Sequence, residues 1–434
     1  MNSNPFKSYR DGLNYLYSQL PMYQRQGAAA YKKDLTNTLL LCEVTGHPER
    51  SLKCIHIAGT NGKGTVSHII AACLAMQGYK TGIYTSPHYK DFRERIKING
   101  VYIPRNYILK FLNIYYPEIE KIRPSFFEMC VCLSFCYFRD MKVDYAVIET
   151  GLGGRLDSTN VITPLISIIT NISYDHQQML GNTLQEIAGE KAGIIKPKVP
   201  VVIGEWQQEV NHVFSEKAKQ SDAPVYYAEK NCHLIPSGFS GDHTKCYQVN
   251  IQDKCWIPQL CTDLTGPFQE KNLTTALYSI FKLSEIIPIS IEKISDQFVQ
   301  LKKMTAYIGR WQIMGNDPLI IADSAHNIAG ISHLVSELRN ISFEKLHIVT
   351  GFVNDKDIGD ILEILPQDAR YYFAKANIPR GLPADLLQKQ AADMGRKGRA
   401  YSTVGRAFAA AKKCADQKDL IIICGSIFVV AEVI

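Results

Sequence analysis

The sequence contains no apolar run long enough to cross a membrane. Its most apolar stretch, residues 420–434, is short and is broken by Gly425-Ser426. Clusters of Lys and Arg that would track a nucleic-acid backbone are missing too. The 48 basic and 42 acidic residues leave a net charge of +6 spread along the chain, which fits a solvated surface with slight attraction for anionic substrates. The start, Met1-Asn2-Ser3-Asn4-Pro5, lacks the basic-then-apolar order of a secretory signal. Of the 12 cysteines, none forms a C-x-x-C pair or a zinc-type grouping with histidine. Cys130, Cys132 and Cys136 share one apolar segment, and Cys54 and Cys424 fall in apparent buried strands. Cysteine therefore reads as a small apolar residue in a reducing compartment. No internal repeat or low-complexity tract is evident. These absences predict a soluble, cytoplasmic protein that binds neither membrane nor nucleic acid.

What is present is material for a large core: 434 residues, 46% hydrophobic and 21% charged, enough for two or three domains. From Lys53 onward short apolar runs alternate with longer amphipathic ones. Residues 54–58, 81–85, 143–148 and 165–170 read as strands, with helices over 65–77 and 126–138. Continuously apolar strands separated by helices predict an α/β fold with a parallel sheet covered on both faces. Residues 231–266 change texture and predict an antiparallel hairpin region. A helix follows over 273–283. A second strand–helix series (319–322, 346–350, 370–373, 420–424) predicts a smaller doubly wound domain, so the expected division is 1–304 and 305–434. In such sheets ligands bind beyond the carboxyl ends of the strands. Gly59, Ser86, Glu149 and Asn171 all fall there.

Gly59-Thr60-Asn61-Gly62-Lys63-Gly64-Thr65 lies between a strand and a helix. Glycines let backbone N–H groups approach a phosphate, and the helix N-terminus adds partial positive charge. Lys63 can reach terminal phosphates, and Thr65 can offer a hydroxyl to Mg²⁺. The run departs from G-x-x-x-x-G-K-[ST], because Ile57 stands at the first Gly position and Gly64 separates Lys63 from Thr65. A Gly-rich turn that only reverses the chain is the plainer alternative.

Ala58 to Thr65 resembles the nucleotide loop of the Mur ligase superfamily. Ser86-Pro87-His88 with Arg93-Glu94-Arg95-Ile96, Glu149 to Asn160, Asp175-His176 and Glu190-Lys191-Ala192-Gly193-Ile194 narrow the resemblance. So do Gly309-Arg310, Asp323 to Asn327, Asp355-Lys356-Asp357 and Cys424-Gly425-Ser426. They point to the branch of folylpolyglutamate synthases and dihydrofolate synthases. The resemblance implies a P-loop-type parallel-sheet domain, like the Mur ligase central domain, and a Rossmann-like C-terminal domain, with ATP and Mg²⁺ held between them. It implies an ATP-dependent amide ligase in which a substrate carboxylate attacks the γ-phosphate and the amine of L-glutamate displaces phosphate from the acyl phosphate. The substrates would be dihydropteroate, reduced folates, or both. A Mur-type ligase of UDP-linked substrates is the neighbouring alternative, for which the stretch before Cys54 leaves little room. A nucleotide-binding module without ligase activity is the alternative outside the enzymes.

The resemblance assigns Thr65 and Ser86 to one metal, and Glu149 and His176 to a second, with Lys191 as a carbamylated ligand. Asp175 offers to orient the His176 imidazole from behind, or is simply exposed. Read in isolation, His176 and Lys191 are a structural histidine and a solvated charge. For ATP the matching positions are Thr60, Asn61, Gly62, Lys63, Gly64, Thr65, Asn272, Arg310 and Asp323. For Asp323, ahead of an apparent helix, capping competes. Ser86, Pro87, His88, Asp157, Ser158 and His326 would face the pterin or glutamate, with Ser426 and Lys356 the weaker candidates for the glutamate site. A monovalent cation and a monomeric chain complete the expectation. Ser158 and Ser324 stand where the family usually has Ala and Gly, and Phe126-Phe127-Glu128 lacks the Thr common just before it. Residues 20–27 offer a cover for the pterin pocket, or an ordinary surface turn.

Overall fold

A computed structural model describes residues 4–21, 34–239, 244–266, 268–354 and 358–434. Met22 to Gly27 and Lys356 therefore lie outside the described residues. The chain separates into two compact units, Met1–Thr265 with Gln269–Tyr307, and Gly266–Phe268 with Ile308–Ile434.

In the first unit the strands are β1 (Cys54–Ala58), β2 (Thr81–Tyr84), β3 (Ile96–Ile98), β4 (Val101–Tyr102), β5 (Tyr145–Glu149), β6 (Ile166–Ile169), β7 (Val201–Ile203) and β8 (Val225–Tyr227). They form one sheet in the order β4-β3-β2-β5-β1-β6-β7-β8. β1 pairs in parallel with β5 and with β6, while β3 and β4 extend the edge antiparallel. Every residue of β1 is buried, as a strand covered on both faces requires. Its side chains alternate. Ile55 and Ile57 pack with Val66, Ile69 and Leu74 of α2 (Lys63–Met76), whereas Cys54 joins Met129, Cys130 and Leu133 of α3 (Phe126–Asp140) on the other face. Ser125 starts α3 with a capping box, its hydroxyl accepting the Glu128 N–H and the Glu128 carboxylate returning to its own N–H.

A separate antiparallel sheet, β9 (Cys232–Phe239), β10 (Lys245–Ile251) and β11 (Lys254–Thr262), fills the region of changed texture. Its register sets Cys246 opposite Cys261, and the two are joined as a disulfide. This corrects the reading of every cysteine as a reduced apolar residue. Cross-strand neighbours of this kind are invisible without the register. Cys42, Cys54, Cys73, Cys130, Cys132, Cys136, Cys232 and Cys424 are buried thiols, as expected, while Cys255 and Cys414 are exposed.

The second unit orders its strands β12 (Gln312–Asn316), β13 (Leu319–Ala322), β17 (Leu420–Cys424), β14 (Leu346–Thr350), β15 (Arg370–Ala374) and β16 (Gly398–Tyr401). All pair in parallel except β12 with β13. Among the described residues no helix is long and apolar enough to cross a membrane.

Candidate active site

The phosphate loop leaves the carboxyl end of β1 and is tied to the end of β6. Thr60 N–H donates to the Asn171 carbonyl at 2.8 Å, Asn61 N–H to Asn171 Oδ1 at 3.0 Å, and the Thr170 hydroxyl to the Asn61 carbonyl at 2.6 Å. Gly62 then opens α2 with φ +85°, and a Cβ there would collide with Asn272 Oδ1. Only glycine satisfies both constraints. Asn272 itself sits on α5 (Phe268–Ser284) and donates to Gln269 Oε1 at 3.0 Å. No side chain caps α2, so its first N–H groups and its dipole are left for an anion. Lys63 folds back over the loop, its Nζ 3.0 Å from the Gly59 carbonyl and 3.2 Å from that of Thr60.

Beyond the loop stands Glu149, the last residue of β5. Ser86 N–H donates to Glu149 Oε2 at 3.1 Å, and Pro87 follows through a cis peptide. A Cβ at Gly64 would lie 3.6 and 3.8 Å from the two Glu149 oxygens, in ordinary van der Waals contact, so the start of α2 directly faces the carboxylate. This third glycine of the loop, the departure from the ordinary P-loop pattern, is thus the one nearest the Glu149 carboxylate. Thr65 turns its hydroxyl to the Tyr307 hydroxyl at 2.7 Å. Glu149, Ser86 and Thr65 offer carboxylate and hydroxyl oxygens, the donor chemistry that suits Mg²⁺ completed by phosphate and water. Among the described residues there is no group of three His, Cys, Asp or Glu side chains that could hold a metal by itself.

Lys191, in the last turn of α4 (Leu184–Ala192), is buried, its Nζ donating to the Gly59 carbonyl at 2.9 Å. Burial, with Lys63 nearby, lowers its pKa to about 7, while Asp175 and Asp157 pull the other way. The isolated reading of Lys191 as a solvated charge is thereby overturned. His176 is partly exposed, with φ +52°. Asp175 Oδ1 accepts the His176 backbone N–H at 2.9 Å and stands 3.9 Å from its Nε2.

Asp157 turns its carboxylate onto its own loop. It accepts N–H groups of Gly151, Leu152 and Thr159 at 2.9, 2.8 and 3.0 Å and the Thr159 hydroxyl at 2.5 Å. Ser158 begins the short helix that follows and is buried. His88 accepts from Arg95 Nε at 2.7 Å through Nδ1, and its Nε2 lies 3.2 Å from the Tyr17 hydroxyl on α1 (Tyr9–Gln19). Burial and Arg95 push its pKa well down, which keeps the imidazole neutral.

In the second unit β13 and β17 lie side by side and end together. Asp323 N–H donates to the Ile423 carbonyl at 2.9 Å, and Gly425 N–H to that of Ala325 at 3.0 Å. Asp323 accepts the N–H groups of Trp311 at 2.7 Å and Ala325 at 2.8 Å. Burial raises its pKa, against the opposing pull of Arg310. It is not a helix cap: Asn327 caps α7 (Ile328–Leu338) through the Gly330 N–H. His326 Nδ1 is 3.0 Å from the Ser324 carbonyl, and Ser426 caps α8 (Ile427–Ala431). The second unit thus gathers Arg310, Asp323, His326 and Ser426 around two strand ends, as the first gathers Lys63, Thr65, Ser86, Glu149 and Lys191.

Residues 57–280 match the Mur ligase middle domain, and residues 309–427 the glutamate ligase domain of Mur ligases. The chain belongs to the Mur ligase family. It is an ATP-dependent ligase, and within the family it groups with the folylpolyglutamate and dihydrofolate synthases. It is 32% identical over 397 residues to a dihydrofolate synthase/folylpolyglutamate synthase of Bacillus subtilis, covering 88% of each chain. To a probable dihydrofolate synthetase of Schizosaccharomyces pombe it is 34% identical over 346 residues, covering 76% of this chain and 79% of that one. A solved bifunctional folylpolyglutamate synthase/dihydrofolate synthase with Mn, AMPPNP and L-glutamate bound matches at TM-score 0.81 and 28% identity, covering 100% of this chain and 98% of that one.

One group of this ligase escaped the sequence reading. Lys97 lies in Ile96-Lys97-Ile98, where alternation would send it to solvent, yet it is buried. Its Nζ is 3.4 Å from His68 Nε2 and donates to the Ala306 carbonyl at 3.3 Å. His68 follows Thr65 at i+3 on α2, so that spacing was the available signal. Burial lowers the Lys97 pKa to about 7, against the pull of Glu94 and Glu149. Between about pH 7 and 10.5 the unfolded chain therefore carries a proton here that the folded chain lacks. Stability should rise with pH across that window by about 1.4 kcal/mol per unit for this lysine. Lys97→Met should remove that one-proton slope in denaturant titrations at mildly and strongly alkaline pH. Equal slopes in variant and parent would refute it.

Proposed function

We propose that the ligase joins L-glutamate to dihydropteroate and adds further glutamates to the tail of reduced folates. The observation carrying the ligase half of this reading is the approach of Gly64 to Glu149, which sets a carboxylate beside an uncapped phosphate loop, and the choice of pterin is supported by the names of the relatives. Thr65 and Ser86 would hold one Mg²⁺, and Glu149, His176 and a carbamylated Lys191 a second. Bound there, the metal would neutralise the triphosphate while an anionic carboxylate approaches. Thr60 to Thr65, Asn272, Arg310 and Asp323 would bind ATP. The substrate carboxylate forms a bond to the γ-phosphorus as the bond to ADP breaks. The glutamate amine then attacks the acyl carbon, phosphate leaves, and the amine gives up a proton. Pro87, His88, Asp157, Ser158, His326 and Ser426 would shape the pterin and glutamate pockets, Asp157 through the Gly151–Leu152 turn that it holds. Binding of a monovalent cation, a monomeric state and a cytoplasmic location belong to the same proposal.

The protein supplied with ATP, Mg²⁺ and glutamate should release phosphate with dihydropteroate and, in a separate assay, with tetrahydrofolate. Activity with dihydropteroate alone would establish the single-activity reading, which the Schizosaccharomyces pombe relative, named for that activity only, favours. Turnover with neither pterin would sink both readings.

A further inference from the structure

The hydroxyl of Tyr307 has no part in the function proposed above, yet it touches a residue that does. Tyr307 is the last residue of the first unit and is buried. Its hydroxyl lies 2.7 Å from Thr65 Oγ1 and 3.5 Å from Gln269 Nε2. Its ring meets His68 edge-on, with centroids 4.9 Å apart. The backbone on either side is held as well. Ala306 closes the helix α6 (Leu301–Thr305) in the left-handed region at φ +49°, and its carbonyl accepts from Lys97 Nζ. The Tyr307 N–H donates to the Lys302 carbonyl at 3.0 Å. Ring and main chain are both fixed, so the position of the hydroxyl follows from the fold rather than from a free rotor.

A threonine hydroxyl has one hydrogen and two lone pairs. To ligate a cation it must present a lone pair to the metal and send its hydrogen elsewhere. In a buried site the acceptor for that hydrogen has to come from the protein, because leaving the donor unmet costs desolvation. The Tyr307 oxygen is at the right distance, and it already faces Gln269 Nε2, a group that can only donate.

We propose that Tyr307 is a positioning residue for Thr65. Its oxygen takes the hydrogen of the Thr65 hydroxyl and thereby turns a Thr65 lone pair toward the divalent cation that accompanies the nucleotide. This rests on the reading of Thr65 as a metal ligand. The contact also fastens the end of the first unit to the phosphate loop, with Arg310 following shortly along the chain.

Tyr307→Phe keeps the ring and its packing on His68 and removes only the oxygen. Binding of a non-hydrolysable ATP analogue, titrated with Mn²⁺, should then need about tenfold more metal for half-saturation, the usual scale for losing a partner behind a metal ligand. Analogue affinity without metal and the thermal midpoint should stay near those of the parent. In a Thr65→Ala background, adding Tyr307→Phe should change the Mn²⁺ titration no further. An unchanged Mn²⁺ titration in Tyr307→Phe would overturn the proposal, as would equal losses with and without metal, which mark a merely structural role. If Thr65→Ala itself leaves the Mn²⁺ titration unaltered, the ligand reading of Thr65 fails and takes this proposal with it. The single variants therefore tell the two failures apart.

Discussion

Lys63→Ala should lower ATP-dependent turnover by on the order of 10³-fold, the scale for removing a charge aimed at the transferring group. The ammonium already lies over the loop, 3.0 Å from one carbonyl and 3.2 Å from another. Those two neutral acceptors hold it until phosphate oxygens replace them, so little reorganisation is needed when a triphosphate arrives. Charge shifts toward the leaving ADP oxygen as its bond to the γ-phosphorus breaks, and loss of Lys63 should fall mainly on turnover. Lys63→Arg should not rescue it, because a planar guanidinium does not match the compact ammonium held against the two loop carbonyls. Stability should hardly move, since Lys63 is only partly buried and makes no ion pair among the described residues. Steady-state kinetics and thermal unfolding of the variant check both halves. Turnover within tenfold of the parent would remove Lys63 from the phosphate site.

Lys191→Met should cost on the order of 10²-fold in turnover, comparable with losing a group that tunes a metal. The amine is enclosed and held to a pKa of about 7, so it is half neutral at that pH. Only the neutral amine can attack CO₂, forming an N–C bond and releasing one proton to leave a carbamate. Loading should therefore fall as pH drops through about 7. Purging CO₂ should slow the parent enzyme and leave Lys191→Met unaffected. Intact-protein mass measured at alkaline pH should show one CO₂ equivalent on the parent alone. A parent enzyme indifferent to CO₂ would refute the carbamate and leave Lys191 as the buried donor to the Gly59 carbonyl.

Much of this arrangement could be read from residue pattern because buried parallel strands are continuously apolar. Cys54–Ala58, Leu319–Ala322, Leu346–Thr350 and Leu420–Cys424 fall at the expected positions. Gly398–Tyr401 did not stand out: as an edge strand with one flank open, it carries Arg399 and little apolar signal. The two-residue β4 and the antiparallel β12 were missed because strands this short or this polar have no period to detect. Capping competed with ATP binding for Asp323 because it precedes a helix, but the chain makes a further turn first and Asn327 takes that place. Lys97 and Tyr307 were illegible for another reason. Their importance comes from where β3 and α6 meet α2, and no local pattern in either segment encodes that meeting. The order of the motifs shows which residues belong to the ligase, and packing shows which neighbours hold them.

The position of β1 between β5 and β6 bears on how the enzyme is made. A ribosome delivers residues 54–58 long before residues 145–149 and 166–169, the two strands that flank them. Until then the strand that launches the phosphate loop has neither neighbour, and Asn171, which clasps Thr60 and Asn61, has not been made. Parallel neighbours that arrive so late cannot be replaced by local pairing. A nascent or truncated chain ending before β6 thus contains every glycine of the loop but lacks both the neighbouring strand and the Asn171 clasp that shape it.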